Sequence, residues 1–166
     1  YENKNPQYSP DLEKAISYFD NDKDVDVAKE IGKFYHSKGQ FDNAIKYYEK
    51  DLKANSDTDL ESNMLLLDAY AQAKQYDPMT KRAMMLIEVY PSQAQFYYYA
   101  GLGSNQLKQF KNAKTVLEMG LDYVVDDVKL ESNFNIQLGE AYNGLGDAKK
   151  KEEYFLKASE LLKKKK

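Results

Sequence analysis

The chain has 166 residues, with 24 basic against 27 acidic side chains and a formal net charge of −3; with the two signs interspersed, nothing draws it generally toward nucleic acid or anionic lipid. It contains no cysteine, which excludes disulfides, thiolate metal sites and a cysteine nucleophile. No apolar run approaches the ~18 residues of a membrane span, and a compact domain of this length can bury ~70% of its unfolded surface, so a soluble chain with a packed core is expected.

The chain opens at Tyr1 rather than at a methionine, as a processed or excised piece would. Residues 9–22, SPDLEKAISYFDND, have the pattern of an amphipathic helix opened by Ser9-Pro10. Four similar stretches follow, at 31–52, 66–87, 100–121 and 138–159. Their equivalent points Gly32, Leu67, Gly101 and Gly139 are separated by 35, 34 and 38 residues, a repeat with one lengthened connection. Inside each, two segments of helical periodicity flank a polar break at Gly39, Lys74, Lys108 or Gly146, which predicts a pair of helices. Thr58-x-x-Glu61 and Ser92-x-x-Gln95 have the form of capping boxes, and Asp77-Pro78 that of an N-cap followed by a first-turn proline. The expected organisation is an N-terminal segment with one helix at 1–24, then repeats at 25–58, 59–93, 94–131 with the extended connection, and 132–166 with a lysine-rich capping helix. The quartet LESN occurs at 60–63 and 130–133, but it starts ten residues before Tyr70 and twelve before Tyr142, so the two copies are not equivalent.

This arrangement resembles the tetratricopeptide repeat family, whose unit of about 34 residues is a helix-turn-helix. The resemblance covers roughly residues 25–163. The family pattern sets leucine and glycine seventh and eighth, tyrosine eleventh, alanine twentieth, an aromatic twenty-fourth and a second alanine twenty-seventh. The first repeat matches with Ile31, Gly32, Tyr35, Ala44 and Tyr48; the second with Leu66, Tyr70 and Pro91, Leu67 and Met79 replacing the glycine and first alanine. Tyr97, Gly101 and Ala113 carry the third, and Leu138, Gly139, Tyr142, Phe155 and Ala158 the fourth. The fold implied is all-α, a right-handed α-solenoid of antiparallel helix pairs forming a superhelix.

The family's first helices line a concave groove that holds an extended peptide or partner helix. Carried onto this chain, that resemblance makes Lys29, Lys33, His36, Met64, Asp68, Gln72, Tyr98, Leu102, Asn105, Gln106 and Asn143 the candidate binding residues. The expected groove is mildly basic at its N-terminal end, apolar at Met64, Tyr98 and Leu102, and rich in amides toward the C-terminus, where amides can pair with a peptide backbone. In the run Phe96, Tyr97, Tyr98, Tyr99 the register assigns three rings to packing and leaves Tyr98 for the groove. The family's carboxylate clamp is not expected, because Lys33 stands where it needs an asparagine, Leu65 occupies its second place and the third repeat lacks its cations.

Catalysis is not expected. His36 is the single histidine, and no phosphate loop, catalytic spacing or metal-ligand cluster accompanies it; no cofactor or metal is implied. The terminal LLKKKK suits a helix C-terminus, where lysines complement the dipole. A protein or peptide is the expected partner, nucleic acid is not, and self-association stays open. The alternative function is a structural spacer in a larger repeat protein or a self-assembling solenoid. The style resembles repeat proteins of AT-rich bacteria, many facing the cell envelope, which leaves cytoplasm and periplasm both open.

Overall fold

A computed structural model describes residues 27–163 of the chain. The helix expected within 9–22 and the last three lysines lie outside the described residues. Among the described residues there are eight α-helices and no strand: α1 (Ala28–Ser37), α2 (Phe41–Ala54), α3 (Leu60–Gln72), α4 (Tyr76–Val89), α5 (Ala94–Gln106), α6 (Phe110–Leu121), α7 (Val128–Gly144) and α8 (Ala148–Lys163). None is long and apolar enough to cross a membrane. The chain divides into two compact units, Tyr1–Ala69 and Tyr70–Lys166, with the boundary inside α3. In the first, α1 packs on α2; in the second, each helix from α4 onward packs on the next and α5 also meets α7.

Each polar break in the sequence is a left-handed turn. Gly39, Lys74, Lys108 and Gly146 have φ of 70°, 58°, 60° and 80°. The residue after each donates its N–H to a carbonyl five residues back: Gln40 to Tyr35 at 2.9 Å, Gln75 to Tyr70 at 2.9 Å, Gln109 to Ser104 at 2.8 Å and Asp147 to Tyr142 at 3.0 Å. This is the Schellman closure, which satisfies carbonyls at the end of one helix and points the chain back along it. The next helix then starts at once.

The early start of one helix and the later starts of two others correct the predicted caps. Gln75 is the N-cap of α4, so Asp77 and Pro78 sit inside its first turn. Gln93 precedes α5, so Ser92 lies outside it. At α3 the cap is Asp59 rather than Thr58, its Oδ2 accepting the Ser62 N–H at 2.8 Å. Asp127 and Asp147 do the same for Leu130 and Lys150, at 2.9 and 3.0 Å.

Within the pairs, a small residue faces a large one. A Cβ built on Gly32 would lie 2.5 Å from Tyr48 Cε1, one on Gly101 2.3 Å from Leu117 Cδ2, and one on Gly139 2.7 Å from Phe155 Cε1. Each partner is sixteen residues on, so the eighth-place glycine lets the second helix close onto the first. The register also separates the two LESN copies by two residues. Buried Asn63 corresponds to Asn135, and each donates its amide to the carbonyl four residues back, Asp59 at 2.7 Å and Glu131 at 2.8 Å.

Candidate functional site

In the first unit, the last turns of α1 and the middle of α3 enclose an open cleft of about 410 Å³. Met64 and Leu65 of α3 give it an apolar wall, and the Tyr48 ring of α2 closes the bottom. Lys33, His36 and Asp68 stand at the rim. Tyr48 reaches this place because Gly32 has no side chain to block its ring.

His36 is held from three sides. Its Nε2 lies 2.9 Å from Asp68 Oδ2, its Nδ1 3.3 Å from the Tyr48 hydroxyl, and its ring meets Phe41 edge-on at 5.3 Å. A carboxylate can only accept, so Nε2 carries the proton and, in the neutral ring, Nδ1 accepts from Tyr48. Burial pushes the Tyr48 hydroxyl up to about 12, the direction opposite to nucleophile activation. The chain of three groups therefore positions the imidazole and keeps Asp68 at the cleft edge.

Beside the cleft lies an ion network. Lys29 Nζ bonds Asp59 at 3.1 Å and Glu61 at 3.4 Å, while Lys33 Nζ bonds Glu30 at 3.0 Å and Glu61 at 2.9 Å. Burial works against the Lys29 ammonium, but Asp59, backed by Asp51 and Glu61, holds its pKa above the ordinary lysine value. The hydrogen bonds that Lys33 donates to Glu61 and then to Glu30 raise its own pKa. Hydrogen bonds from Ser62 and then Lys29 lower the Asp59 carboxyl, and Lys33 lowers Glu61. The expectation of a mildly basic end is corrected here: two lysines face the four carboxylates Glu30, Asp59, Glu61 and Asp68, so the rim is acidic in balance.

Five of the expected site residues thus gather in the first unit: Lys29, Lys33, His36, Met64 and Asp68. The other six lie in the second. Gln72 at the end of α3, Gln106 of α5 and Asn143 of α7 are exposed, and Leu102 is half-buried. Tyr98 is half-buried as well; its ring meets Tyr99 at 5.5 Å and Phe134 at 5.9 Å, both edge-on. Asn105 is 6% exposed and donates Nδ2 to the Gln137 carbonyl at 2.8 Å and to its Oε1 at 3.1 Å. Its amide N–H groups cross-link α5 to α7 instead of facing a ligand backbone, because the two helices pack directly. Among the described residues no group of three or more His, Cys, Asp or Glu could hold a metal ion.

Sequence reasoning missed Leu65 and Tyr48 as cleft residues. The signal for Tyr48 was present: a glycine at the eighth place admits the ring sixteen residues on, beneath the twelfth-place histidine.

The family model described as tetratricopeptide repeat matches residues 30–58 and 132–162. Those two segments each carry a tetratricopeptide repeat. No curated protein matches it. The structure is similar to a MamA RS-1 double mutant, with TM-score 0.75 and 19% identity over 93% of this chain and 84% of that one. It is also similar to MamA in a crystal structure, TM-score 0.73 and 22% identity over 92% and 85%, and to MamA MSR-1, TM-score 0.71 and 21% identity over 86% and 79%. These likenesses show the fold: an all-α, right-handed α-solenoid of antiparallel helix pairs. In tetratricopeptide register the cleft residues Lys33 and His36 take the ninth and twelfth places of the first repeat, and Met64 and Asp68 the fifth and ninth of the second.

Proposed function

We propose that the chain is a protein-interaction scaffold, and that the first-unit cleft takes a short peptide segment with an apolar side chain next to a lysine or arginine. The observation that carries this is the pairing of an apolar wall, Met64 and Leu65, with a rim whose lysines are already neutralised and whose Asp68 is fixed by His36. The apolar side chain would fill the cleft over the Tyr48 ring, and the cation would meet Asp68 at its edge. In the second unit, Tyr98, Leu102 and Gln106 of α5 form a separate contact surface proposed from their place in the repeat.

A peptide library displayed on phage and selected on the full chain tests the cleft, with affinities read by fluorescence anisotropy. Selected peptides should pair an apolar residue with a basic one and lose at least ~10-fold in affinity against Met64→Glu or Asp68→Lys. Higher salt should weaken them, since exposed charges take part. Peptides bound equally well by Met64→Glu, or enriched in acidic residues, would remove the cleft from the function.

A further inference from the structure

The second unit holds an open cavity of about 360 Å³ between the end of α6, the first turns of α7 and the second half of α8. Leu121 and Leu161 give it two apolar walls, and Tyr154 a third. That ring is fixed in place: it stacks on Tyr142 with centroids 5.4 Å apart and 14° between planes, and Lys157 Nζ lies 4.9 Å from its centre. Lys157 also borders the cavity, but its charge is already engaged by Glu153, whose Oε1 accepts from it at 2.8 Å.

The rest of the lining consists of acceptors. Asn135 is 3% exposed; its Nδ2 donates to the Glu131 carbonyl at 2.8 Å, and no donor among the described residues reaches its Oδ1. Asn63, the matching residue of the second repeat, is fully buried and gives its amide to two carbonyls, Asp57 at 3.0 Å and Asp59 at 2.7 Å. The orphaned Oδ1 of Asn105 is sealed from solvent, whereas that of Asn135 is not, and the cavity is where Asn135 meets solvent. Glu131, one turn before it on α7, and Glu160 of α8 line the same space, and neither forms an ion pair among the described residues.

Three acceptors on two helices, set beside leucines and with no cation of their own, call for a positive charge with several N–H donors on an apolar stem. A guanidinium meets that need, with five N–H groups in a planar fork and weaker hydration than an ammonium. The chain's single arginine, Arg82 of α4, is engaged elsewhere, so the group comes from another molecule. We infer that this cavity, formed wholly within the second unit and separate from the first-unit cleft, receives an arginine side chain of a partner protein. The stem lies between Leu121 and Leu161, and the guanidinium donates to Asn135 Oδ1 and to the carboxylates of Glu131 and Glu160.

The probe is N-acetyl-arginine N-methylamide, titrated into the ¹⁵N-labelled full chain. It should shift the backbone amides of Leu121 and Leu161 and the side-chain amide of Asn135 saturably. The citrulline counterpart keeps the stem and planar head without the charge, and should bind at least ~10-fold more weakly. The lysine counterpart keeps the charge without the fork, and should lose at least ~3-fold. Glu160→Gln should weaken the arginine probe at least ~3-fold and keep the wild-type melting temperature, the position being exposed and unpaired; adding Glu131→Gln should bring the loss to ~10-fold or more. No saturable shift, equal binding by citrulline, or equal binding by the doubly substituted chain would overturn the proposal. Shifts confined to Met64, Asp68 and their neighbours would overturn it too, because they report the first-unit cleft, whose own reading would then stand.

Discussion

Gly101 shows how much one hydrogen atom decides. The Leu117 side chain lies where a Cβ on Gly101 would stand, with Cγ at 2.3 Å, and Ala113 one turn earlier on α6 is fully buried. Gly101→Ala and Ala113→Leu should each cost ~1–3 kcal/mol by forcing α5 and α6 apart. Thermal melts check this; a variant that melts with the wild type would show that the helices have room the geometry denies. In the second repeat the eighth place is Leu67 and the twenty-fourth Ala83, and both are fully buried; the glycine of the other three repeats is not kept there.

The turns repeat more faithfully than the helices. Gly146 and Lys108 occupy the same left-handed place, with φ of 80° and 60°, but only glycine does so without crowding its own Cβ. Lys108→Gly should therefore stabilise the chain by up to ~1 kcal/mol, the relief of strain being partly offset by the greater freedom of glycine in the unfolded chain. Urea denaturation of the variant measures it, and a loss of stability would mean that the lysine stem packs against something that outweighs the backbone strain. All four breaks were legible in the sequence as polar interruptions of a helical period. The caps were less so. Where the Schellman closure ends on a glutamine, the following helix begins without waiting for a serine or an aspartate, as Gln75 and α4 show.

At the scale of the molecule, carboxylates set the acid limit. Ser62, and then Lys29, hold Asp59 below the usual aspartate range, while Lys33 lowers Glu61 and Lys157 lowers Glu153. A depressed carboxylate binds its proton more readily in the unfolded chain, so the stability it adds is present above the ordinary carboxylate range and is lost as pH falls through the lowered folded value. Denaturation at pH 7 and pH 3 should show that loss, and Asp59→Asn, which keeps a cap but not a titrating group, should flatten part of it. An unchanged pH profile in Asp59→Asn would take the cap out of the acid response. The sequence by itself determined the helix pairs, their register, the four breaks and the family, because these follow from periodicity and from local backbone preferences that neighbouring residues set. Only the tertiary structure decided which charges are spent and which amides are available. Lys29 reaches Asp59 thirty residues away, His36 finds both Tyr48 and Asp68, and Asn105 gives its N–H groups to Gln137 thirty-two residues on. Such partners are chosen by how closely helices approach across the pair, and that distance is set by the packed volumes between them rather than by any spacing along the chain.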